Sequence, residues 1–199
     1  MITQGQSKRL PRRPGIDPAA LASPGLDELA AAVRIAVGKR ADWQQTAQLV
    51  ASELEQHLPA PSILTAEQRT GDPKTYRSHV LYSEADGSFS IVALVWCPGQ
   101  VTRIHDHVTW CVFGVIQGME YEELFTLNRE GECLVEAGYS VNRTGDVSGF
   151  APPGDIHRVH NAGDRTAISI HIYGTDVSRI GSSVRRDYDL PVQPASSAA

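Results

Sequence analysis

The chain is short of cysteine, of charge bias and of long apolar runs, and each shortage removes a class of protein. Only three cysteines occur in 199 residues, Cys97, Cys111 and Cys133. Their number is odd and none stands near another, so no disulfide framework is expected and a reducing cytoplasm is the expected compartment. Opposite charges nearly balance, 18 basic against 23 acidic residues, for a formal net charge of -5. Such a balance does not favour nucleic acid or an anionic membrane as a partner. No apolar stretch approaches the roughly 20 residues that cross a bilayer. The basic opening MITQGQSKRLPRRPG has no apolar segment behind it, so no secretory leader is expected. Repeats of solenoid length are also missing. The remaining 41% of apolar residues suffices for one packed domain.

Residues 1–23 are rich in Pro, Arg, Gly, Ser and Gln without periodic apolar spacing, which predicts a flexible arm. Residues 24–64 carry two helical patterns. Leu26, Leu29, Ala30, Val33 and Val37 recur at helical spacing up to Gly38, and Ala47, Leu49, Val50, Leu54 and Leu58 do so from Trp43 until Pro59. From 65 to 192 the period becomes two. Strand-like runs at 77–82, 89–96, 110–117, 120–127, 133–137, 157–161 and 166–173 alternate with Gly and Pro turns such as Pro98-Gly99 and Thr144-Gly145-Asp146. Many short strands separated by turns predict a mainly β protein, a closed jelly-roll barrel with the N-terminal helices packed on it. Residues 193–199 are expected to be a flexible tail.

Two segments carry metal-ligating chemistry. In His105-Asp106-His107 two histidines one residue apart, if on a strand, turn their rings to the same side. Fifty residues later Pro152-Pro153-Gly154-Asp155-Ile156-His157 brings a third histidine out of a turn. Three imidazoles on one face would hold a first-row transition metal and leave coordination positions open. His160 competes with His157 for the third place, but the two lie an odd number of residues apart and their rings would face opposite ways on a strand.

Gly99 before the histidine pair, Gly118 after it, and the run from Pro152 to Asn161 together resemble the two motifs of the cupin superfamily, whose fold is a jelly roll. Many cupins place a glutamate four residues after the second histidine. Here Cys111 stands there, which leaves three neutral ligands and more open positions. A site of this kind suits an anionic substrate together with dioxygen, and zinc would accept it too.

A further pattern lies in Ala167-Ile168-Ser169-Ile170-His171-Ile172-Tyr173, where isoleucines alternate with Ser169, His171 and Tyr173. A solvent-facing strand would read the same way. A nucleophilic Ser–His pair is disfavoured because no acid accompanies it. With the metal motifs, the run resembles the type I cysteine dioxygenases and related bacterial thiol dioxygenases, over roughly residues 76–173. That resemblance implies Fe(2+) held by His105, His107 and His157, and a Ser169–His171–Tyr173 relay whose tyrosine hydroxyl reaches the substrate. It also implies a small thiol, L-cysteine or 3-mercaptopropionate, and O2 as partners, and a sulfinate product. Cys111 falls at a cysteine that some members link covalently to the tyrosine.

Three departures concern details. Three residues separate His107 from Cys111, where mammalian-type members have four. The segment Tyr76-Arg77-Ser78-His79 has serine where the family carries a carboxylate-binding arginine, so Arg77, Ser78 and His79 are the candidates for the substrate wall. Arg179 and Arg185, beyond the relay, are candidates for a clamp from another side. The readings from other classes are a cupin hydrolase or isomerase using zinc or another divalent ion, and a small-molecule-binding cupin module. The oligomeric state is not specified by any of these patterns.

Overall fold

A computed structural model describes residues 24–195; the expected arm at 1–23 and the last four residues of the expected tail lie outside them. Helix α1 (Pro24–Gly38) and helix α2 (Trp43–Gln56) lead the chain, followed by a 3-10 turn at Pro61–Ile63. Asp42 starts α2 by accepting the Gln45 backbone N–H at 2.8 Å. The helix ends two residues earlier than its apolar spacing suggests, with His57 as its C-cap.

Strands β1 (Arg77–Ser83), β2 (Ser90–Trp96), β3 (Ile104–His107), β4 (Cys111–Gln117), β5 (Met119–Leu127) and β6 (Leu134–Arg143) follow. Next come β7 (Val147–Phe150), β8 (Ile156–His160) and β9 (Ala167–Tyr173), a short helix α3 (Val177–Ile180), β10 (Val184–Tyr188) and β11 (Val192–Gln193). They form two sheets, β1-β2-β9-β4-β7 and β10-β3-β8-β5-β6-β11, in the jelly-roll arrangement that the turn spacing predicts. Val192 and Gln193, the latter the first residue of the expected tail, pair in parallel with Leu134 and Val135 of β6, so the tail begins as a strand.

The layers follow from the period-two patterns. Ile91, Ala93 and Val95 of β2, Ile168, Ile170 and Ile172 of β9 and Val112 of β4 form one core with Leu26, Leu29, Val33, Val50 and Leu54 of the helices. The five-stranded sheet therefore turns one face to α1 and α2. Its other face carries Val92, Leu94, Trp96, Cys111 and Tyr173 in a second cluster. Both faces of β2 and β9 are buried, so the polar positions of β9 point into the barrel rather than to solvent. Between β4 and β5 the chain turns at Gly118, whose φ is +80° and where a Cβ would sit 2.9 Å from the Ala167 backbone.

Candidate metal centre

Three imidazoles meet inside the barrel because neighbouring strands place them on one face. His105 and His107 stand two apart on β3, and His157 on β8 lies directly opposite His105 in register. One ring nitrogen from each lies within 4.8 Å of the others, and all three side chains are buried.

Their outer nitrogens are all engaged. His105 Nδ1 lies 2.9 Å from the Arg103 carbonyl, and His157 Nδ1 lies 2.6 Å from Glu122 Oε1. His107 Nδ1 lies 3.1 Å from Asp155 Oδ2, which also accepts the His107 backbone N–H at 2.8 Å. A carbonyl or carboxylate only accepts, so each Nδ1 carries the hydrogen and each Nε2 presents a lone pair. The Nε2 atoms of His105 and His157 are 3.2 Å apart. Two lone pairs this close repel unless a cation draws them together. Three neutral imidazoles converging in this way fit a divalent transition-metal ion.

Burial lowers the proton affinity of all three histidines, and their neighbouring imidazoles lower it further. Burial also works against charge on Glu122 and Asp155, yet the bonds from His157 and His107 outweigh it and hold both carboxyls below their ordinary range. Two anions thus flank a neutral ligand set. Neither stood out in the sequence as a site residue, although Asp155 lies inside the Pro152–His157 run and Glu122 falls at a period-two position of its strand.

Ser169, His171 and Tyr173 occupy the barrel face of β9. Ser169 Oγ lies 2.9 Å from His171 Nε2, and His171 Nδ1 lies 3.3 Å from the Tyr173 hydroxyl. Phe113 stacks on the His171 ring at 5.4 Å. Burial, with the charge of His107 adding to it, drives His171 down to about 3, so its ring is neutral. Burial likewise pushes the Tyr173 phenol and the Cys111 thiol well above their usual values, and both stay protonated. Cys111 faces Tyr173 in register across β4 and β9.

The histidines, His171, Tyr173 and Cys111 share one cavity of about 160 Å³. Val80, Val92, Leu94, Trp96, Val159 and Val177 form its apolar wall, and Tyr76, Ser78, Ser182 and Ser183 add hydroxyls. Ser78 thus reaches the cavity, while Arg77 and His79 sit on the alternate face of β1. His79 Nε2 lies 3.1 Å from the Gln68 carbonyl. Arg179 pairs with Asp176 at 2.9 Å, away from the cavity. Arg185 binds Asp106, which lies between the two β3 histidines and also accepts the Tyr188 hydroxyl at 2.9 Å. With Arg103 and Arg186, Arg185 lines an adjoining outer depression. His160 turns away from the histidine cluster, 3.7 Å from Glu123 and against the Tyr121 ring.

The family profile for cysteine dioxygenase type I matches residues 41–186. Cysteine dioxygenase type 1 from Homo sapiens is 28% identical over 96 residues, 47% of this chain and 48% of that protein. The Pongo abelii protein of the same name matches to the same extent. The chain thus spans about half the length of the curated relatives it matches. Among solved structures, a Cupin 2 conserved barrel domain protein from Salinispora arenicola aligns with a TM-score of 0.42 and 19% identity, over 60% of this chain and 93% of that one.

Proposed function

The chain belongs to the cysteine dioxygenase type I family, and from that premise we propose that it is an iron(II) thiol dioxygenase that converts a small thiol to its sulfinate. The observation that carries this reading is the meeting of two devices in one cavity. Three imidazoles turn their free nitrogens to a common point, and a hydrogen-bonded serine–histidine–tyrosine chain ends beside them, with the Tyr173 ring 6.2 Å from that of His107.

His105, His107 and His157 would hold the iron, which supplies a redox-active Lewis acid that favours thiolate over thiol and activates dioxygen. The rest is the work of the protein. The apolar wall keeps stray water from the reacting sulfur. Tyr173, oriented by His171 and through it by Ser169, donates a hydrogen bond to the oxygen being transferred. One thiolate and one dioxygen give one sulfinate, with both oxygen atoms on sulfur and no external reductant.

L-Cysteine and 3-mercaptopropionate are the substrates that the family and the cavity size favour. Among the described residues no lysine or arginine lines the cavity. A substrate carboxylate would therefore meet hydroxyls, Ser78 among them, with Arg103, Arg185 and Arg186 in the depression outside. The cytoplasm is the compartment proposed, on the free state of Cys97, Cys111 and Cys133.

Oxygen uptake by the iron-loaded chain against a panel of small thiols, with the product identified, tests the proposal. At least one thiol should give a sulfinate with one O2 consumed per product. His107→Ala should lose both iron and activity, whereas Tyr173→Phe should keep iron and turn over at least about tenfold more slowly. Normal turnover by iron-free protein, or a zinc form that hydrolyses or isomerises its substrate without oxygen uptake, would overturn it.

A further inference from the structure

Glu120 on β5 is wholly buried, and the chemistry above makes no use of it. Neither of its carboxyl oxygens has a hydrogen-bond partner, nor does the buried Trp96 Nε1. The carboxyl nevertheless sits close enough to the Ser169 hydroxyl and the Trp96 indole for both to act on it. Ser169 is the inner end of the chain that runs through His171 to Tyr173. A buried acid thus stands where that chain would otherwise stop.

We propose that Glu120 is a positioning residue, whose protonated carboxyl donates to Ser169 and so fixes the direction of every hydrogen bond out to Tyr173. With the acid neutral, Glu120 donates to Ser169 Oγ and Ser169 donates to His171 Nε2. His171 then carries its hydrogen on Nδ1 and donates to the Tyr173 oxygen, which leaves the Tyr173 hydrogen free for the cavity. Once the acid loses its proton the order reverses. Ser169 donates to the carboxylate, His171 Nε2–H donates to Ser169, and Tyr173 donates to His171 Nδ1. No hydrogen then remains for the cavity. The two states differ by one proton; from Ser169 to Tyr173 both fit the observed distances, and in both the Glu120 carboxyl closes onto Ser169, a hydrogen bond not formed in this structure.

The surroundings favour the neutral acid. Burial, with the charge of Glu122 on the same strand adding to it, raises Glu120 to about 7, although Ser169 and Trp96 act in the opposite sense. The neighbouring elements offer it little else. Its register partner on β6 is the uncharged Asn142. From β8 the titratable His157 is engaged by Glu122 instead. From β9 the facing titratable groups are His171 and Tyr173, one neutral and one protonated.

The consequence for turnover rests on the dioxygenase reading; the consequence for His171 does not. In the full chain loaded with Zn(II), imidazole 15N shifts should move His171 from the Nδ1–H to the Nε2–H tautomer as pH rises through about 7. Over the same range the infrared band of a protonated carboxyl should disappear. In Glu120→Gln the side chain no longer titrates, so the His171 tautomer should not change as pH passes through about 7 and the carboxyl band should be missing throughout. For the iron-loaded protein, wild-type kcat should fall about tenfold per pH unit above that point, and the limb should flatten in Glu120→Gln. A tautomer shift without thiol turnover sinks the dioxygenase reading and keeps this one. Turnover with a His171 tautomer indifferent to pH sinks this one alone, and the wild-type spectra decide it even if the variant does not fold.

Discussion

At the residue scale, each ligand's free nitrogen is chosen by the partner of its other nitrogen. His157 depends on Glu122 and His107 on Asp155, through contacts of 2.6 Å and 3.1 Å. An acceptor on Nδ1 fixes the tautomer, aims the ring and raises its basicity toward a cation. Glu122→Gln keeps the shape but removes the charge, and its amide can rotate to offer a donor where an acceptor is needed. The affinity for Fe(II) or Zn(II), measured by competition with a chelator, should weaken by about 10- to 100-fold. An unchanged affinity would mean that the ring is aimed by packing alone. Glu120 and Glu122 share a strand and a face, yet one has His157 as a partner and the other has none.

At the scale of elements, α2 acts as the lid on the outer face of the five-stranded sheet, over β4 and β7. Leu54 is fully buried there, and Gly114 on β4 lets the end of the helix approach so closely that a Cβ would lie 3.2 Å from Leu54 and 2.6 Å from Leu58 just beyond the helix. Leu54→Ala should cost about 2–5 kcal/mol in chemical denaturation, with metal affinity kept because the ligands sit on the other sheet. Helix faces of this kind were legible in the sequence from apolar spacing, as were most strands. β3, β7, β10 and the two-residue β11 were not. β3 is Ile-His-Asp-His, in which every residue is buried, so no alternation of apolar and polar marks it. β7 is four residues long, and β10 carries Arg185, Arg186 and Asp187 at the sheet edge. Charge protects an exposed edge from further pairing and hides the strand from an apolar pattern.

For the whole molecule, the buried titratable groups link folding to pH with opposite signs. His171, lowered from 6.5 to about 3, binds a proton in the unfolded chain well before it does so in the folded one. Its share of stability is therefore lost as pH falls below about 6.5. Glu120, raised from 4.5 to about 7, behaves the other way. Its neutral form supports the fold fully below about 4.5, and that support is lost as pH rises to about 7. Between about 4.5 and 6.5 the two slopes offset each other. In Glu120→Gln only the histidine slope remains, so the variant should lose stability relative to wild type on acidification across that window. The divergence should reach about 1.4 kcal/mol per pH unit at most, measured by denaturant titration of both proteins in parallel. A difference between them that does not change with pH would show that Glu120 is ionised throughout.

The local pattern of the chain determined what can be decided over a few residues. Period two puts His105 and His107 on one face and parts His157 from His160, and helical spacing marks the faces of α1 and α2. Tertiary structure alone decided which faces are covered and which groups meet. The strand Ser169-Ile170-His171-Ile172-Tyr173 reads in sequence like one with a wet side, because alternation records that two faces differ but not what lies over each. In the barrel its isoleucines meet the helices and its polar side meets the histidines and Glu120, of which His105, His107 and Glu120 come from strands far away in the chain. Proton affinity and ligand geometry at this site are set by those distant neighbours, since both depend on what excludes water from a group and what hydrogen-bonds to it.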